Sequence, residues 1–351
     1  MNTSKLIRLT PPHLTNTHIS KKISCIRPHR ERIFNVSMEQ KDSKTIFHNY
    51  GHGGAGWTFL FGCVQESIRQ FEAFIRQNGN FKNKSICVIG AGCYGLLTAI
   101  MLAQRGFTVH IIAKEIDDTP SYKAAGFFFP RWRKSSNEQE KEIFLSRGIE
   151  SYEIYLRIAQ GTHPFIKTGT RMVSAYYGLD IDPGFAPYIQ KNLIAPSQQV
   201  VVDFGNSKKY RMNEYRIIFM DSITLMRELH INISSLKIPI IQKEITSWSE
   251  ISEQLIFNCS GWGAKQLTHD PKLLPVQGHL IILQNQPELK YLINMKVVMQ
   301  TSSGPRDELI YFAPKNEGIL GITFLRNQSD ARANAHEFDR LLQRSRDFFG
   351  S

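Results

Sequence analysis

Glycines at positions 90, 92 and 95 stand at a spacing that suits one kind of chemistry, the holding of a pyrophosphate by bare backbone. Gly90 permits a sharp turn out of a strand. Gly92 has no side chain to keep a phosphate away from the backbone N–H groups, and Gly95 lets the next helix pack closely on its sheet. The positive end of that helix then faces the phosphates. The spacing alone is a weak sign, because ordinary glycine content produces it by chance. Glu115 follows Gly95 by about 20 residues, where an acid would take the ribose hydroxyls of a dinucleotide. Lys114 beside it would suit a 2′-phosphate and so leaves NADP open. Both also read as solvated charges at a strand end.

The elements that must position these residues give the motif its weight. Ile86 to Ile89 reads as a short buried strand, 96–104 as a helix ended by Gly106, and 107–113 as a second strand. Strand, glycine turn, helix and strand within about 30 residues is the context the motif requires. Upstream, 45–47 reads as a short strand, followed by a glycine-dense loop at 48–56. Leu60, Phe61, Val64, Ile68, Phe71 and Ile75 then recur at helical spacing up to a stop at Gly79. Residues 1–22 are polar, contain Pro11-Pro12, and read as an irregular lead-in. Helices are expected at 141–161 and 221–235, and near Phe338, Leu341 and Leu342. Short β-rich runs broken by Pro and Gly at 165–220 suggest an antiparallel sheet. Ile240-Ile241 reads as extended, and further strands are expected at 255–257, 279–283, 295–300, 309–313 and 318–325.

Several segments resemble the D-amino acid oxidases. Cys87-Val88-Ile89-Gly90-Ala91-Gly92-Cys93-Tyr94-Gly95-Leu96 looks like their FAD turn. Ala124-Ala125-Gly126-Phe127 resembles their second flavin-contacting segment. Asn258-Cys259-Ser260-Gly261-Trp262, with Asp270-Pro271 and Gln277-Gly278 after it, resembles the third. Tyr311-Phe312-Ala313-Pro314 looks like the strand whose tyrosine meets the substrate carboxylate, and Ile26-Arg27-Pro28-His29-Arg30 like the arginine motif. His48-Asn49-Tyr50-Gly51-His52-Gly53-Gly54 is close to a family signature and is the most specific of the set.

The order differs from the family's. There the arginine motif and the histidine–glycine segment close the chain; here they precede the FAD turn. The resemblance therefore implies an α/β protein in circularly permuted order. A Rossmann-like FAD-binding domain is expected from 40–135 and 225–278. An α+β substrate domain with a mainly antiparallel sheet is expected from 1–39, 136–224 and 279–351. The link at 77–84 is long enough to join the two orders, since eight extended residues reach about 26 Å. A domain-shuffled or truncated relative is the alternative.

By the same resemblance Arg27 is the anchor for an α-carboxylate, which a guanidinium grips with two prongs. Tyr311 donates a second hydrogen bond, and the Gly54 carbonyl meets the amine. Gly53, Gly56, Trp57 and Thr58 line the flavin, as do Ala125, Gly126, Ser260 and Gly261. The implied activity is FAD-dependent oxidation of D-amino acids or similar amines by molecular oxygen. A dehydrogenase using another acceptor and an inactive FAD-binding protein stay open, and an NAD(P) dehydrogenase is a weaker rival. His48 and His52 read as residues that fix the loop. The segment Ser302 to Glu308 lacks the tyrosine the family often carries there, and Arg306 in it suits either an acidic substrate or solvent.

Composition narrows the remaining classes. The 351 residues are 42% hydrophobic and 21% charged, enough for two globular domains without staples. The net charge of +12 is scattered, with no zinc-finger, basic-zipper or RNP pattern, so nucleic acid is not expected as a partner. Five cysteines stand apart with no C-x-x-C pair, and read as reduced thiols of a cytoplasmic protein. No metal ligand set is assigned, since His48 and His52 lack a third ligand nearby. No apolar run is long enough for a membrane span. The lead-in lacks the apolar core of a secretory signal. It has no acid before Glu31, which leaves a transit peptide open on charge. A homo-oligomer is left open.

Overall fold

The computed structural model describes residues 5–79, 84–301, 304–315 and 317–350. Ser302 and Ser303, the middle of the link at 80–83 and the first four residues lie outside the described residues. Two sheets carry the fold.

The smaller sheet has six strands, in the order Ile240–Gln242, Val109–Ala113, Ile86–Ile89, Leu255–Asn258, Lys44–Tyr50 and Asn35–Lys41. The first five are parallel and the last is antiparallel. Near-continuous apolar runs such as Ile86–Ile89, buried at every position, are what a sheet covered on both faces demands. Helix Cys93–Ala103 joins two neighbouring strands and is buried along most of its length. Helix Gly56–Asn78 leads from the histidine–glycine strand back to Ile86–Ile89, and Gly79 ends it at φ 99. Leu255–Asn258 sits between the dinucleotide strand and Lys44–Tyr50, with Asn258 level with both Ile89 and His48. Three sequence-distant loops therefore open at the same edge.

The larger sheet has ten strands and is mainly antiparallel. Its path runs Lys5–Arg8, Gln198–Asp203, Lys209–Met220, Thr170–Gly178, Tyr291–Thr301, Gly304–Ala313, Ile319–Gly321, Leu273–Leu283 and Leu325–Arg326, with Ile19–Arg30 also paired to Leu273–Leu283. Helix Glu138–Ala159 begins at a capping box, Asn137 with Glu140, and Asp221 caps Ser222–Ser235.

The expectation of an irregular lead-in at 1–22 is corrected. Its described part holds the strand Lys5–Arg8 and the start of Ile19–Arg30. Ser20, Lys21 and Lys22 are all exposed, so no period-two alternation shows in the sequence. Pairing with Leu273–Leu283, not local preference, makes that segment extended. At the far side, Lys5–Arg8 runs along Gln198–Asp203, and just beyond that strand Asn206 Nδ2 donates to the Phe348 carbonyl at 2.8 Å. No helix among the described residues is long and apolar enough to cross a membrane.

Candidate active site

A cleft of about 1050 Å³ opens between the strand ends of the smaller sheet and one face of the larger. At its dinucleotide end Gly90 has φ 104, and a Cβ there would collide with the Cys259 carbonyl. A Cβ on Gly95 would collide with the Gly90 carbonyl oxygen. Gly92 precedes helix Cys93–Ala103 and faces Ser121 Oγ, which accepts from Cys93 N at 3.1 Å. Gly90 and Gly92 line the cleft; Gly95 does not, and sits behind the turn where helix meets strand.

Glu115 lines the cleft just past the strand Val109–Ala113, exposed, while Lys114 pairs with Glu244 at 2.9 Å. Seven cationic side chains (Arg27, Lys114, Lys123, Arg131, Arg133, Lys243 and Lys265) line the cleft against two acids, Glu115 and Glu244. That balance fits a diphosphate. With the side-chain-free turn, it makes these residues fit FAD.

The histidine–glycine loop is fixed from below. Tyr94 OH donates to the Gly56 carbonyl at 2.8 Å, Tyr155 OH to the Trp57 carbonyl at 2.6 Å, and Trp57 Nε1 to the Ser121 carbonyl at 3.0 Å. Gly53, Gly54, Gly56, Trp57 and Thr58 all line the cleft, and so do Ala125, Gly126, Ser260 and Gly261. Ser260 Oγ donates to Asn258 Oδ1 at 2.6 Å, and the Asn258 amide nitrogen lies 3.1 Å from His48 Nδ1. His48 also meets Glu39 at 2.9 Å. His52 stacks on Tyr94 with ring centres 3.8 Å apart. Burial, then Arg133, holds His52 well below the usual histidine value. Burial, with Arg133, Arg326 and Arg27 adding, brings His29 down to about 3. Both histidines are neutral at neutral pH.

Arg27 is 8% exposed and has no acid within salt-bridge distance among the described residues. Its Nη2 donates to the carbonyls of Thr323 and Gln277, and its Nε is buried with no partner. Burial lowers its pKa. The guanidinium lies 5.2 Å from the Phe324 ring centre and crosses Gly278, where an added Cβ would come within 2.5 Å of Nη2. A Cβ on Gly54 would be 3.2 Å from Arg27 Nη1, so loop and guanidinium are neighbours. Tyr311 is 1% exposed, and its hydroxyl is also buried without a partner. Burial, then Tyr177, pushes the phenol well above its usual value. A buried cation and a buried hydroxyl, each with a donor to spare, suit a polar ligand. A carboxylate supplies what both lack.

Several residues in and around the cleft carry no signal in the sequence. Asn294 is 3% exposed, lines the cleft, and its Oδ1 has no partner. It lies level with Tyr311 on one side and Tyr177 on the other across three strands. Only that register, which is not local, reveals it. Lys315 follows the Tyr311 strand and is 1% exposed. Its Nζ donates to the carbonyls of Tyr122 (2.6 Å) and Ala124 (2.7 Å) and to Ser222 Oγ (2.6 Å), tying down the Ala124–Phe127 segment. Burial brings its pKa down to about 8. The half-buried thiol of Cys25 lines the cleft two residues before Arg27. Arg306 is 61% exposed beside Glu308 at 3.4 Å, and does not line the cleft. Gln277 is fully buried and clamps the carbonyls of Asp330, Ala331 and Ala333.

Known proteins resemble the chain in part. Residues 85–189 match the family model described as "DAO: FAD dependent oxidoreductase". A D-amino-acid oxidase of Streptomyces coelicolor is 25% identical over 243 residues, 68% of this chain and 69% of that one. These matches support a likeness to the D-amino-acid oxidase family of FAD-dependent oxidoreductases. A D-amino-acid oxidase of Dictyostelium discoideum is 22% identical over 278 residues, covering 74% of this chain and 71% of the relative. Among solved structures, a glycine oxidase from Bacillus cereus superposes with a TM-score of 0.52 at 16% identity, over 75% of this chain and 79% of that one. At that identity the likeness concerns the fold. The oxidoreductase is accordingly a flavoenzyme whose cofactor is FAD.

Proposed function

We propose that the protein oxidises D-amino acids, or closely similar amines, to imino acids and then 2-oxo acids, with oxygen as the electron acceptor. The observation that carries this reading is Arg27, a buried guanidinium with no acid in salt-bridge distance among the described residues, in the same cleft as the partnerless hydroxyl of Tyr311. Bound FAD supplies the hydride acceptor. Arg27 and Tyr311 take the substrate carboxylate, and the Gly54 carbonyl accepts from the amine, which turns the Cα–H bond towards the cofactor. The substrate loses a hydride from Cα and a proton from nitrogen. Water then displaces the nitrogen as ammonia, and dioxygen takes up two electrons and two protons as hydrogen peroxide. No proton-accepting side chain is required if the amine arrives neutral, and burial keeps His29 and His52 from serving as charged acids.

The same proposal keeps the domain division, with 40–135 and 225–278 around the cofactor and 1–39, 136–224 and 279–351 around the substrate. It also keeps the permuted order and a cytoplasmic location. The D-amino-acid oxidases it resembles support the substrate class.

The test is anaerobic. FAD-loaded protein mixed with a panel of D-, L- and N-methyl amino acids should lose its visible flavin absorbance with D-amino acids. Admitting air should restore the colour and generate peroxide. A flavin that stays oxidised across the whole panel sinks the reading. Bleaching followed by slow recovery in air would replace oxygen with another acceptor.

A further inference from the structure

The smaller sheet carries a second cluster of chemistry-bearing groups, on the face away from its helices. Val88 and Ile111 join the core beneath helices Gly56–Asn78 and Cys93–Ala103. Cys87, Ile89 and Ile112 point the other way, into a small cluster with Ile245, Trp248 and Ile251. Cys87 and His110 are direct partners across the parallel strand pair, so their side chains leave the same face. Glu253 comes in from the loop before Leu255–Asn258. That loop is held by Lys44, whose Nζ donates to the carbonyls of Ile251 and Glu253.

The thiol sulfur of Cys87, a ring nitrogen of His110 and a carboxylate oxygen of Glu253 all lie within 4.8 Å of one another. His110 Nε2 stands 3.7 Å from Glu253 Oε1. That is too long for a direct hydrogen bond. It is close to the spacing of two ligands on one ion, since atoms bound at about 2.1 Å in a tetrahedron lie about 3.4 Å apart. The other ring nitrogen, Nδ1, faces Ser85 Oγ at 3.4 Å, an outer contact that leaves Nε2 turned inward. A second cleft of about 710 Å³ reaches His110 and Glu253 and shares no lining residue with the flavin cleft.

We propose that Cys87, His110 and Glu253 form a binding site for a borderline-soft divalent cation of the zinc class, with water from the second cleft at the fourth position. Sulfur, imidazole and carboxylate together are the donor set such ions take. A thiolate and a carboxylate neutralise the dication, the imidazole binds neutral, and the thiol proton passes to solvent on binding. The ion pins two strands and a loop together, beside a cleft that shares no lining residue with the one Arg27 lines, so its effect is on stability. The ligands are 23 and 143 residues apart, a spacing no linear metal motif has.

The test uses the full FAD-loaded chain, stripped with a chelator, dialysed, and titrated with Zn²⁺ or with Co²⁺ as an absorbing substitute. About one equivalent per chain should bind, with a thiolate-to-cobalt charge-transfer band and a raised melting temperature. Glu253→Gln keeps the shape of a half-buried loop residue and should weaken binding at least about tenfold. Cys87→Ser should abolish the cobalt band, while Cys25→Ser should leave it intact. Flavin absorbance reports folding in each variant. No stoichiometric uptake, or equal uptake by the wild type and Glu253→Gln, overturns the proposal.

Discussion

At one end of the flavin cleft Arg27 lies buried beside carbonyls and glycine, with one nitrogen left unpaired. At the other, Lys114 meets Glu244 in open water at 2.9 Å, and Glu115 beside them is exposed. Both ends carry charge, and both line the same cavity. They differ in what the protein alone can satisfy. An exposed pair is already solvated and adds little when a ligand arrives. A buried charge with no acid beside it gains more from a charged ligand, because water screens it less. The energetic weight of the cleft therefore lies at its Arg27 end, although more of its charge lies elsewhere.

Substitutions can break that contrast or sharpen it. The largest effect should come from Arg27→Ala. Losing one side of a buried charge pair costs about 2–5 kcal/mol, so kcat/KM for flavin reduction should fall by roughly thirtyfold to a few thousandfold. Arg27→Lys should restore only part, since an ammonium lacks the two-pronged grip. Stopped-flow reduction with a D-amino acid reads both, and an unchanged rate in Arg27→Ala would remove the guanidinium from the site.

Next comes Lys315→Met, which removes the shorter of two bonds to each of the Tyr122 and Ala124 carbonyls and leaves both to Ser222 Oγ, 3.1 Å from each. One hydroxyl has a single proton for two carbonyls, so one goes unmet, at a cost of about 1–3 kcal/mol. FAD affinity, followed by flavin fluorescence quenching, should weaken by roughly tenfold, with a smaller change in substrate KM. An intact affinity would show that the Ala124–Phe127 segment holds itself.

A third effect is on pH. Burial lowers His29 to about 3 in the folded state, against about 6.5 unfolded. The unfolded chain therefore binds more protons between these values, and stability falls as pH drops from about 6.5 towards 3. Urea denaturation of His29→Asn across that range should show a flatter acid limb than the wild type. Equal slopes would mean that His29 titrates normally.

The smallest effect belongs to Glu115→Gln. An exposed carboxylate contributes about 0–1 kcal/mol, so the dissociation constant for FAD should rise no more than about fivefold. A larger loss would move weight to the ribose end and undo the contrast.

What could be read from the sequence followed how local each signal was. The dinucleotide strand, its turn and helix Cys93–Ala103 announce themselves within about 20 residues, because apolar runs and glycines there answer to immediate neighbours. Helix Gly56–Asn78 is legible from its spacing for the same reason. Ile19–Arg30 was hidden, because its exposed lysines say nothing of the partner strand 250 residues on. Asn294 and Lys315 were hidden too. Each matters through a neighbour that only strand register or tertiary packing brings near. The reach of Arg27 into the cleft was suggested by resemblance alone, and its unpaired Nε became visible only in three dimensions.

The strand Lys5–Arg8 and the carbonyl of Phe348 are both fastened to the segment around Gln198–Met220. Force applied between the two ends of the described chain is thus borne first by one hairpin and by the Asn206 clamp. The flavin cleft, lined by other strands, stands out of the line of load. Under tension the outermost pairing should yield while the cofactor pocket is still whole, so a stretched molecule would lengthen before it loses its colour.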